Sequence, residues 1–253
     1  MPEPTPPPTR TVSVRACSSL GRVRRRNEDH VGFRAGSEVT EPDADDEPFG
    51  IDDAPTPTLV VVTDGLGGHP GGDIASRSAV RALLDLAPGS PAELVDAVLA
   101  ANERLHDEMN EATSGMGTTL AAVLVHDDGV VVVNVGDSPV FVLERDTSPP
   151  ELVQLTVDDV PAAEVSRSGM VTQSLGGFDR LDAVDVHLHE DDHPAPRRLL
   201  VCTDGLSGFV PGDVISLVLD SLEDPAEVVR TLVELADAAG GLDNCTVAVI
   251  DVR

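Results

Sequence analysis

Two apolar segments of this 253-residue chain end in the same sequence, and that repetition limits the possible folds more than any other feature. Residues 59–62 run into a Thr-Asp-Gly-Leu sequence that contains Asp64, and residues 199–202 run into a second one that contains Asp204. Short apolar runs of this kind predict buried strands, and the glycine allows the chain to turn at once. The sequence therefore predicts two buried strands, each with an aspartate positioned at its end by rigid backbone.

The spacing of apolar residues predicts both helices and sheets. The predicted strands are residues 11–16, 31–35, 59–62, 118–125, 130–135, 140–143, 183–188, 198–202 and 246–252. The predicted helices are residues 74–86, a segment opened by the Ser-Pro-Ala-Glu sequence at residues 90–93, and residues 225–239. Because consecutive strands and consecutive helices form separate groups, we expect an α+β fold or a core in which one sheet packs on another.

Composition excludes several classes of function. The chain has 17 basic and 45 acidic residues, a formal net charge of −28, so no basic surface for nucleic acid or anionic membrane is expected. Every basic residue is an arginine, and the absence of lysine excludes P-loop, protein-kinase and Schiff-base chemistry. Cys17, Cys202 and Cys245 lack the spacing of a zinc site or a redox pair and are expected to be buried thiols.

The chain is expected to form one domain. Residues 1–10 are a Pro-rich leader that we expect to be disordered, and residues 11–253 form the domain. Residues 36–57 are acidic and Pro-rich, which predicts a mobile surface loop. The Pro-rich start at residues 1–9 has no apolar region of the kind found in a signal peptide, and no apolar segment is long enough for a membrane span, so a cytoplasmic protein is expected, and we expect a monomer.

Other acidic residues repeat the placement of Asp64 and Asp204 near predicted strand ends. They are Asp137, Asp243 and the pair Glu28-Asp29. Carboxylate oxygens are preferred ligands of Mg²⁺ and Mn²⁺. Two such ions about 3.5–4 Å apart acidify a bridging water and stabilise an in-line displacement, for which a phosphate ester is the fitting substrate. For any single aspartate, a role in a turn or in solubility is the alternative, but the repeated sequence favours a shared site.

Four of the 17 arginines lie within five positions, at residues 22 and 24–26. A guanidinium group can bind a phosphate through two parallel hydrogen bonds. The alternative is a solvated basic face that pairs with the acidic segment at residues 36–57, and we prefer it for Arg22, Arg25 and Arg26.

Together these motifs resemble the PPM-type (type 2C) metal-dependent Ser/Thr protein phosphatases, especially the compact bacterial members. The motifs, in order, are Arg24-x-x-Asn27-Glu28-Asp29, Asp64-Gly65-Leu66-Gly67-Gly68-His69-x-x-Gly72-Asp73-x-Ala75-Ser76, Gly115-Met116-Gly117-Thr118-Thr119, Gly136-Asp137-Ser138, Thr203-Asp204-Gly205 and Asp243-Asn244-x-Thr246. The resemblance spans residues 11–253. It implies a four-layer αββα sandwich in which helices flank two antiparallel sheets.

The resemblance also implies a role for each site residue. Asp64 would bridge two Mg²⁺ or Mn²⁺ ions, the Gly65 carbonyl would bind one of them, and Asp204 and Asp243 would complete the shell of the other. Glu28 and Asp29 would hold metal-bound waters. Asp137, with Asp204, would hold a weaker third ion, and Arg24 would bind the substrate phosphate.

The implied activity is the hydrolysis of phosphoserine and phosphothreonine in proteins, the products of a Ser/Thr kinase, without a covalent intermediate. A hydroxide that bridges the metals would attack phosphorus in line. Thr118 and Thr119 would support the site through hydrogen bonds, or only begin a core strand.

The sequence departs from the family pattern in four features. Pro139 replaces the usual arginine of Gly-Asp-Ser-Arg, Asp158-Asp159 replaces an Asp-His pair, and the flap segment at residues 156–172 is short. Some members carry a catalytic His after the first Asp-Gly, where this chain has Leu66. His69 is closest in sequence, and we favour a role in loop packing or helix initiation for it.

Two alternatives to an active phosphatase make different predictions about the sequence. A phosphatase-like binding or regulatory module would keep the fold and lose at least one metal ligand, whereas Asp64, Asp204 and Asp243 are all present. An acidic calcium-binding surface protein would carry a secretion signal and EF-hand or repeat spacing, which the sequence lacks.

Overall fold

The structure is a computed structural model that describes residues 10–42, 46–66, 71–161, 170–177, 183–192 and 197–253. Residues 1–9 of the predicted leader, residues 162–169 of the predicted flap, and His69 lie outside the described residues. The predictions made for them are therefore not tested by the structure.

The described chain contains strands and helices in mixed order. The strands are β1 (Thr11–Ser19), β2 (Asp29–Ala35), β3 (Glu38–Thr40), β4 (Phe49–Pro55), β5 (Thr58–Asp64), β6 (Gly117–Thr118), β7 (Leu120–His126), β8 (Gly129–Val135), β9 (Val140–Glu144), β10 (Glu151–Gln154), β11 (Leu175–Gly176), β12 (His187–Asp191), β13 (Arg197–Cys202) and β14 (Cys245–Val252). The helices are α1 (Gly72–Leu86), α2 (Pro91–Glu108), α3 (Asp204–Ser207), α4 (Gly212–Ser221) and α5 (Pro225–Ala238).

Two six-stranded sheets form the centre of the protein. One has the order β10-β9-β13-β14-β1-β4 and the other the order β12-β8-β7-β5-β2-β3, with antiparallel pairing between neighbours. The predicted α+β class with two antiparallel sheets is therefore confirmed. The two TDGL segments belong to different sheets, since β5 lies in one sheet and β13 in the other.

Alternation along the strands explains the layers, because successive side chains of a strand point to opposite faces. In β5, Val60 and Val62 belong to the cluster between the two sheets, whereas Leu59 and Val61 belong to the cluster under α1 and α2. Residues of β13 and β14 on the outer face of the other sheet pack with α4 and α5. The layers are thus helices, sheet, sheet, helices, as the resemblance implied.

Two of the long helices begin as the sequence indicates. Ser90 precedes α2, and its side chain accepts a hydrogen bond from the Glu93 backbone N–H, with proline at the first helical position. Asp224 precedes α5 in the same way and accepts from the Ala226 N–H. These caps satisfy backbone donors that a helix start leaves free.

Several local predictions were wrong or incomplete. The acidic segment at residues 36–57 was expected to be a mobile loop, but it contains β3 and β4, each at the edge of a sheet. These two strands form because the backbone of a neighbouring strand, β2 for β3 and β1 for β4, supplies their hydrogen bonds. The composition of the segment does not indicate this pairing. The strand expected at residues 183–188 begins only at His187, and β10, α3 and α4 were not predicted. These elements are short or weakly patterned, so tertiary packing determines them.

The three cysteines are buried thiols that form no disulfide, as predicted. Burial raises the pKa of Cys202 and Cys245, so these thiols stay protonated. A protonated, buried thiol is a poor nucleophile, and a role in packing follows.

Candidate active site

The ends of several strands form one cavity of about 380 Å³. β5 ends at Asp64, α3 begins at Asp204 directly after β13, and Asp243 lies just before β14. The lining includes seven of the eight residues predicted for the site: Arg24, Glu28, Asp64, Gly65, Asp137, Asp204 and Asp243. The eighth, Asp29, is not among the residues that line this cavity.

Threonine side chains hold the backbone of Asp64 in place. The Asp64 N–H donates to Thr119 Oγ1 at 3.0 Å, and the Asp64 carbonyl accepts from Thr118 Oγ1 at 2.9 Å. Thr119 Oγ1 also lies 2.6 Å from Ser138 Oγ, beside the turn that carries Asp137. The prediction that Thr118 and Thr119 support the site through hydrogen bonds is therefore confirmed.

Gly65 stands where a side chain cannot fit. Its N–H donates to the Glu28 carbonyl at 3.0 Å, and a Cβ at this position would lie 2.3 Å from the Gly72 carbonyl oxygen. Because that oxygen is backbone, the clash could not be relieved by a side-chain rotation. A glycine is thus required for Asp64 to lie next to the Glu28 segment.

Asn244 connects three segments of the site, and no role was predicted for it. Its Oδ1 accepts from the Glu28 N–H at 2.9 Å, and its Nδ2 donates to the carbonyls of Leu20 and Arg26 at 2.9 and 3.1 Å. The signal in the sequence was its place beside Asp243, directly before a strand. Asn244 therefore positions the loop that carries Arg24 and Glu28.

Asp29 lies buried near the cavity. Its Oδ2 accepts from Thr203 Oγ1 at 2.8 Å, while its Oδ1 is buried without a hydrogen-bond partner. Burial raises the pKa of Asp29 to about 7, and the charges of Asp204 and Asp243 add to the increase against the hydrogen bonds from threonines. A buried carboxylate oxygen without a partner suits a nearby bound water or cation.

The carboxylates in the cavity raise one another's pKa. Burial raises the pKa of Asp64 well above its usual value, and the charges of Asp29, Asp204, Asp243 and Asp137 raise it further. Burial and the charges of neighbouring acids likewise raise the pKa of Asp137 to about 6. Acids crowded in this way favour protonation or a cation in their midst.

Arg24 is paired within the site. Its Nη2 donates to Asp243 Oδ2 at 2.6 Å, and this hydrogen bond is the main cause that raises the pKa of Arg24. Arg22 and Arg26 pair with Asp237 of α5 and Asp73 of α1. Arg22 and Arg26 do not line the cavity, in agreement with the interpretation preferred for them. Their partners, however, lie on helices and not in the acidic segment at residues 36–57, which was predicted to pair with these arginines.

The donor chemistry of the cavity fits hard divalent cations. Asp204 Oδ1 is buried without a hydrogen-bond partner, and burial, with the charge of Asp243, raises the pKa of Asp204. Across the part of the chain that the structure describes, no three acidic, histidine or cysteine side chains are already gathered as a complete metal site. Because Arg24 engages Asp243, side-chain rotations would be needed to bring the acids together on an ion.

The residues that depart from the family pattern form contacts beside the site. Asp159 accepts from the Gly136 N–H at 2.8 Å, from Gln173 Nε2 at 2.7 Å and lies 2.9 Å from His187 Nε2. Asp159 therefore joins the turn before Asp137 to the segment that contains Gln173 and to β12. The carbonyl of Pro139, which stands in place of the family's arginine, accepts from the Cys202 N–H.

A sandwich of two antiparallel sheets, with one arginine and several carboxylates in a cavity at its strand ends, defines a class of metal-dependent phosphatases. Comparison with known proteins identifies one family of that class. The family model described as Protein phosphatase 2C matches residues 43–244, and the chain belongs to this family.

Relatives are similar over nearly the whole chain. Serine/threonine phosphatase stp of Listeria welshimeri is 30% identical over 253 residues, covering 91% of this chain and 92% of that protein. The crystal structure of Mycobacterium tuberculosis serine/threonine phosphatase PstP/Ppp has a TM-score of 0.75 at 30% identity, covering 95% of this chain and 98% of that one. A structure of the PstP catalytic domain in complex with two manganese ions has a TM-score of 0.74 at 31% identity and covers 96% and 99% of the two chains.

Proposed function

We propose that this protein is a Mg²⁺- or Mn²⁺-dependent protein serine/threonine phosphatase, a phosphoric monoester hydrolase. The observation that carries the proposal is the single cavity lined by Arg24, Asp64, Asp204 and Asp243. The cavity places one arginine beside several carboxylates. Because the negative charge of these carboxylates exceeds the positive charge of the arginine, divalent cations are needed to balance it. The activities named for its relatives in the same family support this function.

The proposed ligands of two divalent ions are Asp64 and the Gly65 carbonyl for one, and Asp64, Asp204 and Asp243 for the other. Asp137 and Asp204 would hold a weaker third ion, and Glu28 and Asp29 would orient waters around them. When bound, such ions supply a water of lowered pKa and neutralise charge on the phosphate. The buried, unpartnered Oδ1 atoms of Asp204 and Asp29 support this assignment.

Arg24 is proposed to bind and orient the substrate phosphate. The Arg24 side chain is 41% exposed and lines the cavity while it pairs with Asp243, so its guanidinium can turn from a carboxylate to a phosphate without leaving the site. A planar guanidinium matches two phosphate oxygens and stabilises charge that develops on them. Asp243 would then be released from Arg24 to act as a metal ligand.

The proposal extends to partners and location. We expect the substrates to be phosphoproteins made by a Ser/Thr kinase, and the protein to be a cytoplasmic monomer with one phosphatase domain over residues 11–253. Among the helices that the structure describes, none is long and apolar enough to cross a membrane. A catalytically inactive binding module is the second candidate, and the presence of all three principal acids argues against it.

Hydrolysis of a small aryl phosphate, measured with Mn²⁺ and with a chelator, tests the function. We expect turnover with Mn²⁺, none with the chelator, and none in the Asp64→Asn variant, which keeps the shape of the residue and removes its charge. Asp128→Asn, an exposed acid in the turn between β7 and β8, is the control and should retain wild-type turnover. Turnover that survives the chelator, or an Asp64→Asn variant with at least half the wild-type rate, would reject the proposal.

A further inference from the structure

We infer that the protein selects phosphopeptides in which an apolar, uncharged residue flanks the phosphorylated serine or threonine, and that Phe209 and Leu242 receive this residue. The inference rests on the proposed function and names the substrate class of the same site. It comes from the apolar part of the cavity, which the roles of the carboxylates and Arg24 leave unexplained. Leu66, Val171, Phe209 and Leu242 line the cavity together with the charged residues.

Phe209 is an exposed aromatic side chain held close to Asp204. It follows α3, and its backbone N–H donates to the Leu206 carbonyl at 3.1 Å, while the Gly208 N–H donates to the Asp204 carbonyl at 2.8 Å. Leu206 and Val210 beside it are buried, whereas Phe209 is 37% exposed. The local fold thus buries its neighbours and leaves this ring at the cavity.

Leu242 is a second exposed apolar residue near an acid of the site. It directly precedes Asp243, and it is 51% exposed. The preceding residue, Gly241, has a φ of +56° and accepts hydrogen bonds through its carbonyl from the N–H groups of Arg22 and Val23. This anchored turn fixes the backbone on which Leu242 projects. Two acids of the site, Asp204 and Asp243, therefore each have an exposed apolar side chain within a few residues, on backbone that hydrogen bonds hold.

An apolar surface that continues into a phosphate-binding cavity suits the side chain next to the phosphorylated residue. Burying that side chain against Phe209 and Leu242 would remove apolar area from water on both partners. An acidic flanking residue would instead lose water against Phe209 and Leu242, which line the cavity without offering its charge a partner. Charge and shape thus favour a neutral apolar neighbour over an acidic one.

The test compares three phosphoserine peptides that differ only in the residues flanking phosphoserine: leucine, serine or aspartate on both sides. We expect kcat/KM for the leucine peptide to exceed that for the serine peptide by roughly tenfold, with the aspartate peptide lowest. Phe209→Ala and Leu242→Ala should each reduce the ratio of the leucine to the serine peptide. Leu217→Ala is the control, because Leu217 is 63% exposed on α4 and does not line the cavity.

Equal kcat/KM for the leucine and serine peptides in the wild-type protein would overturn the inference. So would a ratio that neither Phe209→Ala nor Leu242→Ala changes. A dimer in sedimentation that Phe209→Ala dissociates would also overturn it, because a second copy would then cover the surface. Hydrolysis of the small aryl phosphate separates the two proposals: its absence rejects the function itself, whereas its presence without a flank preference rejects only this inference.

Discussion

Charged side chains in the site change one another's pKa and form ion pairs with one another. Asp64 has a raised pKa because burial and the acids Asp29, Asp204, Asp243 and Asp137 all disfavour its ionised form. Arg24 offsets part of this charge through Asp243. Arg24 and Asp243 would therefore exchange this pairing for a phosphate and a divalent ion, because each would then gain another partner of opposite charge.

Replacement of Arg24 by alanine should weaken the binding of substrate more than it slows bound substrate. We expect kcat/KM for a phosphopeptide to fall roughly 100-fold, because the variant loses a charged hydrogen bond worth about 2–3 kcal/mol. Most of this decrease should come from a higher KM. Arg25→Ala is the matched control, because Arg25 is exposed and does not line the cavity. Steady-state kinetics with an unchanged kcat/KM for Arg24→Ala would contradict the role.

His30 is predicted to make the fold sensitive to acid. It is buried, with Nε2 2.8 Å from Glu41 Oε1. Burial lowers its pKa, and the charges of Arg77 and Arg81 lower it further, against the effect of Glu41. As the pH falls below the pKa of an unfolded histidine, the unfolded chain binds the proton first, so the native state loses stability through the folded pKa.

We expect His30→Gln, which keeps a hydrogen-bond donor toward Glu41, to remove this part of the acid sensitivity. The measurement is the free energy of unfolding by urea at pH 7.5 and 5.5 with a chelator present, for wild type and variant. The exposed His189→Gln variant is the control and should lose stability as the wild type does. If His30→Gln loses as much stability as the wild type between the two pH values, His30 is not the source.

Between elements, one buried arginine connects two strands to the end of a helix. Arg198 of β13 donates from Nε and Nη2 to Asp251 of β14 at 2.7 and 2.8 Å. It also donates to the carbonyls of Leu219, Leu222 and Glu223 around the end of α4. Five donors in a planar fork are satisfied here, which a lysine could not do.

Arg198→Met should destabilise the protein by about 3–5 kcal/mol, because Asp251 would remain buried without its counter-ion. Urea denaturation measures the change. Arg145→Met is the control, since Arg145 is about half exposed and its pair with Asp220 should contribute about 0–1 kcal/mol. A loss for Arg198→Met no larger than that of the control would show that the buried pair does not hold these elements together.

For the whole molecule, the formal net charge of −28 opposes a compact state. Specific divalent ions in the cavity should offset part of this repulsion, and binding to the native state alone adds about 2.7 kcal/mol when free metal is 100 times Kd. We expect the Tm to rise saturably with Mn²⁺ in 0.15 M NaCl and to fall on chelation.

The double variant Asp64→Asn/Asp204→Asn should not show the Mn²⁺-dependent rise in Tm. A matched double variant, Asp85→Asn/Asp128→Asn, removes two exposed acids outside the cavity and should respond as the wild type does. An equal rise in both double variants would mean that Mn²⁺ only screens the overall charge.

Most of the fold class and of the site could be predicted from the sequence, because both depend on local patterns. Apolar runs identified most of the core strands, and the Asp-Gly sequences identified two of the strand ends that line the cavity. The edge strands β3 and β4 could not be predicted, because their acidic residues form strands only when a neighbouring strand supplies hydrogen bonds.

The sequence by itself determined that Asp64 and Asp204 lie at the ends of apolar segments and that a glycine follows each of them. It also determined that no lysine takes part in the chemistry of the site, because the chain contains none. Only the tertiary structure decided that Arg24 pairs with Asp243, that Asn244 joins three segments, and that Phe209 and Leu242 open into the cavity. The reason is that turns and apolar periodicity depend on neighbours in sequence, whereas pairing and exposure depend on residues far apart in the chain, as for Arg24 and Asp243, which are 219 positions apart.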